Sequence, residues 1–340
     1  MCDRWMTTPH ARQLCAIVLM ASLAGIVLAP VSARCSDRPS GNYDCVVALD
    51  GTGTHVSIQD AVNACRDYSE RDYTIFIRNG VYREKLVIPG WKRRITLIGE
   101  SVGNTVISYD DFAGKIDKAG NKLGTFTSCT CRVSGTDIVF ENITIENTAG
   151  RVGQAVAVHV DGDRCVFRNC RIIGDQDTLL TAGESSRQFF DACAIEGTTD
   201  FIFGPATAVF RKCTIVSKKD SYITAASTVP AREYGLVFFE CRLLSDSVGR
   251  RVYLGRPWRP YAATVFVKCE MGAHIRPEGW HNWDKPEAEK TARYAEYRST
   301  GVGGDPSARV AWSRQLTDAE AASLTIGNIL SGYDGWDPVR

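Results

Sequence analysis

The sequence predicts an all-β protein, a single-stranded parallel β-helix with short capping helices, and three observations predict it. A short segment recurs with an aromatic, a cysteine and an aliphatic residue at nearly fixed places. The copies alternate with period two rather than the 3.6 of a helix. The intervals between them are those of a solenoid. The copies are Phe167-Arg-Asn-Cys170-Arg-Ile172, Phe190-Asp-Ala-Cys193-Ala-Ile195, Phe210-Arg-Lys-Cys213-Thr-Ile215, Phe239-Glu-Cys241-Arg-Leu243 and Phe266-Val-Lys-Cys269-Glu-Met271. Phe140-Glu-Asn142-Ile-Thr144 reads as an earlier copy with Asn142 in the cysteine's place. From Asn142 to Cys269 the anchors are 28, 23, 20, 28 and 28 residues apart. Leucine-rich repeats share this period, but their leucine pattern is missing. In a parallel β-helix each coil adds one strand to each sheet, and coils stack ~4.8 Å apart.

Each element then has its reason. Ile75-Phe-Ile77 and Ala155-Val-Ala-Val158 fit short strands. Ser57 is placed to N-cap a helix running to about Tyr68, with Ile58, Ala61, Val62 and Cys65 on one face. Thr317 is placed to cap a second, from Asp318 to Ile329. Solenoids need covered ends, so both helices are expected there. No Pro- or Gly-rich linker divides the chain, which predicts one domain from about 35 to 340.

The N-terminus stands apart. Arg4, His10 and Arg12 precede an apolar run from Leu14 to Ala29, followed by Val31-Ser32-Ala33. That is the three-part pattern of a signal peptide over residues 1–33, and it predicts a secreted or periplasmic protein cleaved near Ala33. A membrane anchor is the alternative, but the run is shorter than the ~20 residues a span needs. Without residues 1–33 the formal charge is 38 Lys and Arg against 38 Asp and Glu, or zero. No nucleic-acid binding and no membrane association are expected.

Of 13 cysteines, eleven lie beyond Ala33. Exported cysteine-rich proteins usually carry disulfides. In a β-helix, however, the repeated cysteines form an inward ladder and behave as small hydrophobes. The ladder reads as core thiols, with disulfides between neighbouring rungs as the alternative. Cys129, Cys131 and Cys165 lie outside it and their pairing stays open.

The chemistry follows from the same register. Asp177 lies seven residues after Cys170, and Asp200 seven after Cys193. Their side chains should therefore stack about one rung apart, ~5 Å. Two carboxylates that close cannot both ionise easily, and such pairs divide into nucleophile and acid/base. Solvated turn aspartates are the alternative.

The surrounding motifs decide between them. Gln176-Asp177-Thr178-Leu179, Asp200-Phe201-Ile202-Phe203-Gly204 and Tyr253-Leu254-Gly255-Arg256-Pro257-Trp258 resemble signatures of the pectin methylesterase (pectinesterase) family. So do Gly80-Val81-Tyr82-Arg83-Glu84-Lys85 and Gln154-Ala155-Val156-Ala157-Val158, and all five stand in the family's order. The resemblance spans about residues 45 to 337. It implies a right-handed parallel β-helix and hydrolysis of the methyl esters of galacturonate units in pectin, with no cofactor and no metal, by a monomer. It further implies Asp200 as nucleophile, Asp177 as general acid and base, Arg256 holding Asp200, and Gln154 and Gln176 as oxyanion donors. Trp258 matches a sugar-stacking residue, and Thr125 and Phe126 match groove residues. Phe203 is placed to line the same groove, with a core position, the commoner one for a Phe in a β-helix, as the alternative. Glu84 is expected to be structural. The Asn142 sequon is expected to face inward and to escape glycosylation.

Two departures stand out. Leu180 replaces a frequent tyrosine, which removes one groove aromatic. Cys129 replaces an alanine. The compact N-terminus without a plant-type inhibitory region, and the segment through Trp280 and Trp283, resemble bacterial members. A β-helical lyase or hydrolase would need a calcium-binding carboxylate cluster, which the sequence does not show. A related esterase with another substrate and a non-catalytic polyuronide-binding module are the remaining alternatives.

Overall fold

The computed structural model describes residues 43–339. The expected signal peptide lies outside the described residues. Among the described residues, strands form three sheets of eleven, eight and seven strands, and every strand pair is parallel. One coil runs Cys165–Arg168, Arg171–Ile173 and Leu179–Thr181, giving each sheet one strand in turn. The next runs Arg187–Asp191, Ala194–Gly197 and Ile202–Gly204, in register with the first. This is the parallel β-helix that the repeat predicts.

The interior holds columns of like residues. Phe140, Phe167, Phe190, Phe210, Phe238 and Phe266 stack with ring centroids 4.5–4.9 Å apart. That spacing is the inter-strand distance, so each coil supplies one ring. The column corrects two alignments. Phe238 occupies the rung, while Phe239 packs outside. Ile143, three residues after Phe140 as Cys170 is after Phe167, takes the cysteine's place. Asn142 sits one residue earlier in left-handed backbone (φ 57°), half-buried and hydrogen-bonded by Asn169 on the next coil. The sequon is thus on the outer corner, not inward as expected, because Ile143 one residue later takes the inward place.

That corner recurs. Asn169, Ala192, Lys212, Glu240 and Lys268, each just before a ladder cysteine, all have φ between 48° and 57°. A single left-handed residue turns the chain between two sheets, at a cost of roughly 1–2 kcal/mol for a side chain bearing Cβ. The Phe and Cys columns offset it by burying apolar surface on either side. The ten described cysteines are all free and buried. Burial pushes the Cys131 thiol well up, which keeps that thiol protonated.

Four α-helices are described: α1 (Ile58–Ala64), α2 (Pro286–Glu289), α3 (Asp318–Ser323) and α4 (Ile326–Leu330). Ser57 caps α1 as expected, accepting from the Asp60 amide at 3.1 Å, but the helix ends at Ala64 rather than near Tyr68. Glu84 accepts the Ile58 and Gln59 amides at 2.9 Å each. An anion at a helix N-terminus is stabilising, and this supports the structural role expected for Glu84. The expected C-terminal helix is two. Thr317 caps α3 and Thr325 caps α4. They do not close the end of the coil. Ile329 and Leu330 pack on Val166, Phe189, Val209 and Val237, the outer face of the eleven-stranded sheet. That apolar outer stripe drew them to the flank. Among the described residues, no helix is long and apolar enough to cross a membrane.

Candidate active site

The seven-stranded sheet positions the site. Leu179 pairs with Ile202, which puts Asp177 and Asp200, each two residues earlier, on neighbouring rungs. Both adopt left-handed backbone, φ 65° and 50°. Aspartate tolerates that region better than most residues, and strain of this kind concentrates at functional sites. Gly204 closes the Asp-Phe-Ile-Phe-Gly segment at φ 131°, where a Cβ would lie 2.1 Å from the Thr181 carbonyl oxygen. Only glycine fits there.

The two acids are buried, but their surroundings differ. Arg256 forks Asp200, with Nε 2.9 Å from Oδ1 and Nη2 2.7 Å from Oδ2. Asp177 has no side-chain hydrogen bond to the described residues. Burial, together with the nearby Asp200 charge, pushes its carboxyl up to about 7 despite Arg256. Burial also raises Asp200, but the Arg256 fork opposes it. The surroundings therefore favour a proton on Asp177 and charge on Asp200.

Gln154 and Gln176 pair as a parallel bridge, half-buried, with Gln176 next to Asp177 in the chain. An open cavity of about 740 Å³ lies along the same sheet, and neither acid is part of its lining. Leu180 and Ala182 line it together with the aromatic rings of Phe126, Trp258 and Tyr261. Phe126 is 50% exposed. Thr125 opens the same turn but does not line the cavity. Phe203 is buried and meets Trp258 at 5.8 Å, so it packs behind Trp258 rather than lining the cavity. Leu180 lies in the same buried cluster.

Sequence reasoning missed what holds Arg256. Its guanidinium carbon lies 3.9 Å from the Tyr222 ring centroid and 3.6 Å from that of Trp283. Tyr222 sits two residues before Thr224, which pairs with Ile202, and so on the rung after Asp200. That phase was readable from the repeat. Trp283 comes from the loop before α2, and only its aromatic-rich neighbourhood marked it.

A parallel β-helix with a buried carboxylate pair, one member forked by arginine, beside an aromatic-walled groove has the groups an aspartyl ester hydrolase needs. The family model described as Pectinesterase matches residues 44–333. Pectinesterase 31 from Arabidopsis thaliana is 41% identical over 81% of this chain and 88% of its own length. A pectin methylesterase from carrot superposes with a TM-score of 0.78 at 35% identity, covering 85% of this chain and 93% of the carrot chain. A pectin methylesterase in complex with a hexasaccharide superposes at 0.76 with 32% identity, covering 88% of this chain and 100% of its own. The chain belongs to the pectinesterase family, carboxylic ester hydrolases that cleave the methyl esters of pectin on a right-handed parallel β-helix. It spans about half of plant relatives whose names add a pectinesterase inhibitor, such as one of 39% identity covered over 53% of its length. The bacterial likeness expected from the N-terminus gains no lead from these identities, since the Arabidopsis and carrot proteins exceed the Erwinia chrysanthemi enzyme at 32%.

Proposed function

We propose that this protein removes methyl groups from methyl-esterified homogalacturonan, using Asp200 as nucleophile and Asp177 as general acid and base. The observation that carries the assignment is the asymmetry of the pair: Arg256 forks Asp200 alone. Asp200 attacks the C6 ester carbonyl of a galacturonate unit. The carbonyl oxygen gains negative charge, which the amides of Gln154 and Gln176 meet as N–H donors; one such donor is typically worth ~3 kcal/mol. Asp177, protonated, gives its proton to the departing methoxide, and methanol leaves behind an Asp200 anhydride. Asp177, now a carboxylate, takes a proton from water as that water attacks the anhydride. Free galacturonate leaves and both acids return to their starting states. Phe126 and Trp258 serve as platforms for sugar faces, Thr125 positions the turn bearing Phe126, and Phe203 supports Trp258.

The chain is further read as exported, with residues 1–33 removed near Ala33 and residues 35–340 acting as one monomeric catalytic domain. The purified protein should release methanol and acid groups in equal number from methylated pectin. A folded protein that released none would overturn the reading. Testing methylated oligogalacturonides against other methyl esters separates pectin from a different substrate.

A further inference from the structure

Arg256 makes its two hydrogen bonds with one edge only, Nε and Nη2 to Asp200. Both faces of its guanidinium are covered, by Tyr222 at 3.9 Å and Trp283 at 3.6 Å. Tyr222 is itself stacked on Tyr253 at 5.4 Å and 12°. His281 sets its ring edge against Tyr222 at 5.4 Å and Tyr253 at 5.1 Å. The Trp283 amide donates to His281 Nδ1 at 2.9 Å, so one histidine braces both halves of the sandwich. Trp283 and Asp284 are both in left-handed backbone, φ 59° and 55°. The loop accepts strain to deliver this ring.

We propose that Tyr222 and Trp283 are positioning residues for the nucleophile, clamping the Arg256 guanidinium in the plane from which it forks Asp200. The inference rests on Asp200 being that nucleophile. An arginine held only by two hydrogen bonds can swing about the carboxylate. Rings on both faces remove that freedom, attract the cation and exclude water, leaving only the edge to bond. The alternative for Trp283 is a sugar platform, but the ring face placed at 3.6 Å is spent on Arg256 rather than presented to the groove.

The test uses the full-length protein and the variants Tyr222→Leu and Trp283→Leu, with Tyr222→Phe and Trp283→Phe as ring-retaining partners. Circular dichroism and melting temperature establish folding. Each leucine variant is expected to lose roughly tenfold in kcat, with KM nearly unchanged. The acid limb of kcat/KM should move to higher pH, because burial of Asp200 is then less opposed. The phenylalanine variants should recover most of both. Should Tyr222→Leu fail to fold, Tyr222→Met keeps the bulk without the ring and carries the same expectation. Wild-type kcat and acid limb in the leucine variants, or a change confined to KM, overturns the clamp. If Asp200→Asn retains turnover, the nucleophile reading is what fails. If Asp200→Asn is inactive while the leucine variants match wild type, the clamp alone fails.

Discussion

The phenylalanine column inside the coils and the aspartate pair at their corner are built by one rule. Parallel, in-register coils place like residues one rung apart. Inside, Phe140 to Phe266 gain from it, because stacked rings bury each other at 4.5–4.9 Å. At the corner, Asp177 and Asp200 suffer from it, because two carboxylates on neighbouring rungs repel in a buried setting. The same repeat therefore stabilises the molecule in one place and stores chemical potential in another. Arg256 makes the difference usable by relieving only one of the two acids.

The largest effect should come from the corner. Asp200→Asn is expected to cut kcat by roughly 10³-fold or more while the protein stays folded, measured as methanol released from pectin. Wild-type turnover would break the asymmetry between the acids. Next comes the column. Phe190→Ala, in its middle, should cost about 3–5 kcal/mol in denaturant unfolding. A loss under ~1 kcal/mol would mean that the column is ornamental.

Asp177 joins the two regions. Its folded pKa of about 7 stands above the ordinary carboxylate value of 3.8, so the folded state binds the extra proton between those limits. Its contribution to stability is therefore least unfavourable at low pH and worsens as pH rises through 4 to 7. Asp177→Asn should abolish turnover yet stabilise the fold at pH 7 by on the order of 2 kcal/mol. The gain should vanish near pH 4, and melting temperatures at the two pH values check it. In the wild type, kcat should fall as Asp177 loses its proton above about 7. A rate still rising at pH 9 would remove Asp177 as the acid. The smallest effect is expected at the groove. Leu180→Tyr restores an aromatic worth about 1 kcal/mol and should lower KM for oligogalacturonides a few-fold.

Much of this was legible in the sequence because register is periodic. Counting seven residues from Cys170 and from Cys193 is enough to align Asp177 with Asp200. What period alone does not fix is an offset of one, since Asn142 and Ile143 both follow Phe140 and only packing decides which turns the corner. Phe238 and Phe239 pose the same ambiguity. The amphipathic C-terminal segment announces an apolar face but not its partner, so an end cap and a flank look alike. Trp283 was illegible as a partner of Arg256 because a loop, not a coil, brings it there.

The cysteine ladder bears on how such a protein can be made. Among the described residues the ten thiols are unlinked and buried, so no covalent bond has to form for the coils to close. Among the described residues the fold asks nothing of a thiol oxidant or a disulfide isomerase. It should assemble equally in a reducing cytosol and outside the cell, and added reductant should leave its melting temperature where it was.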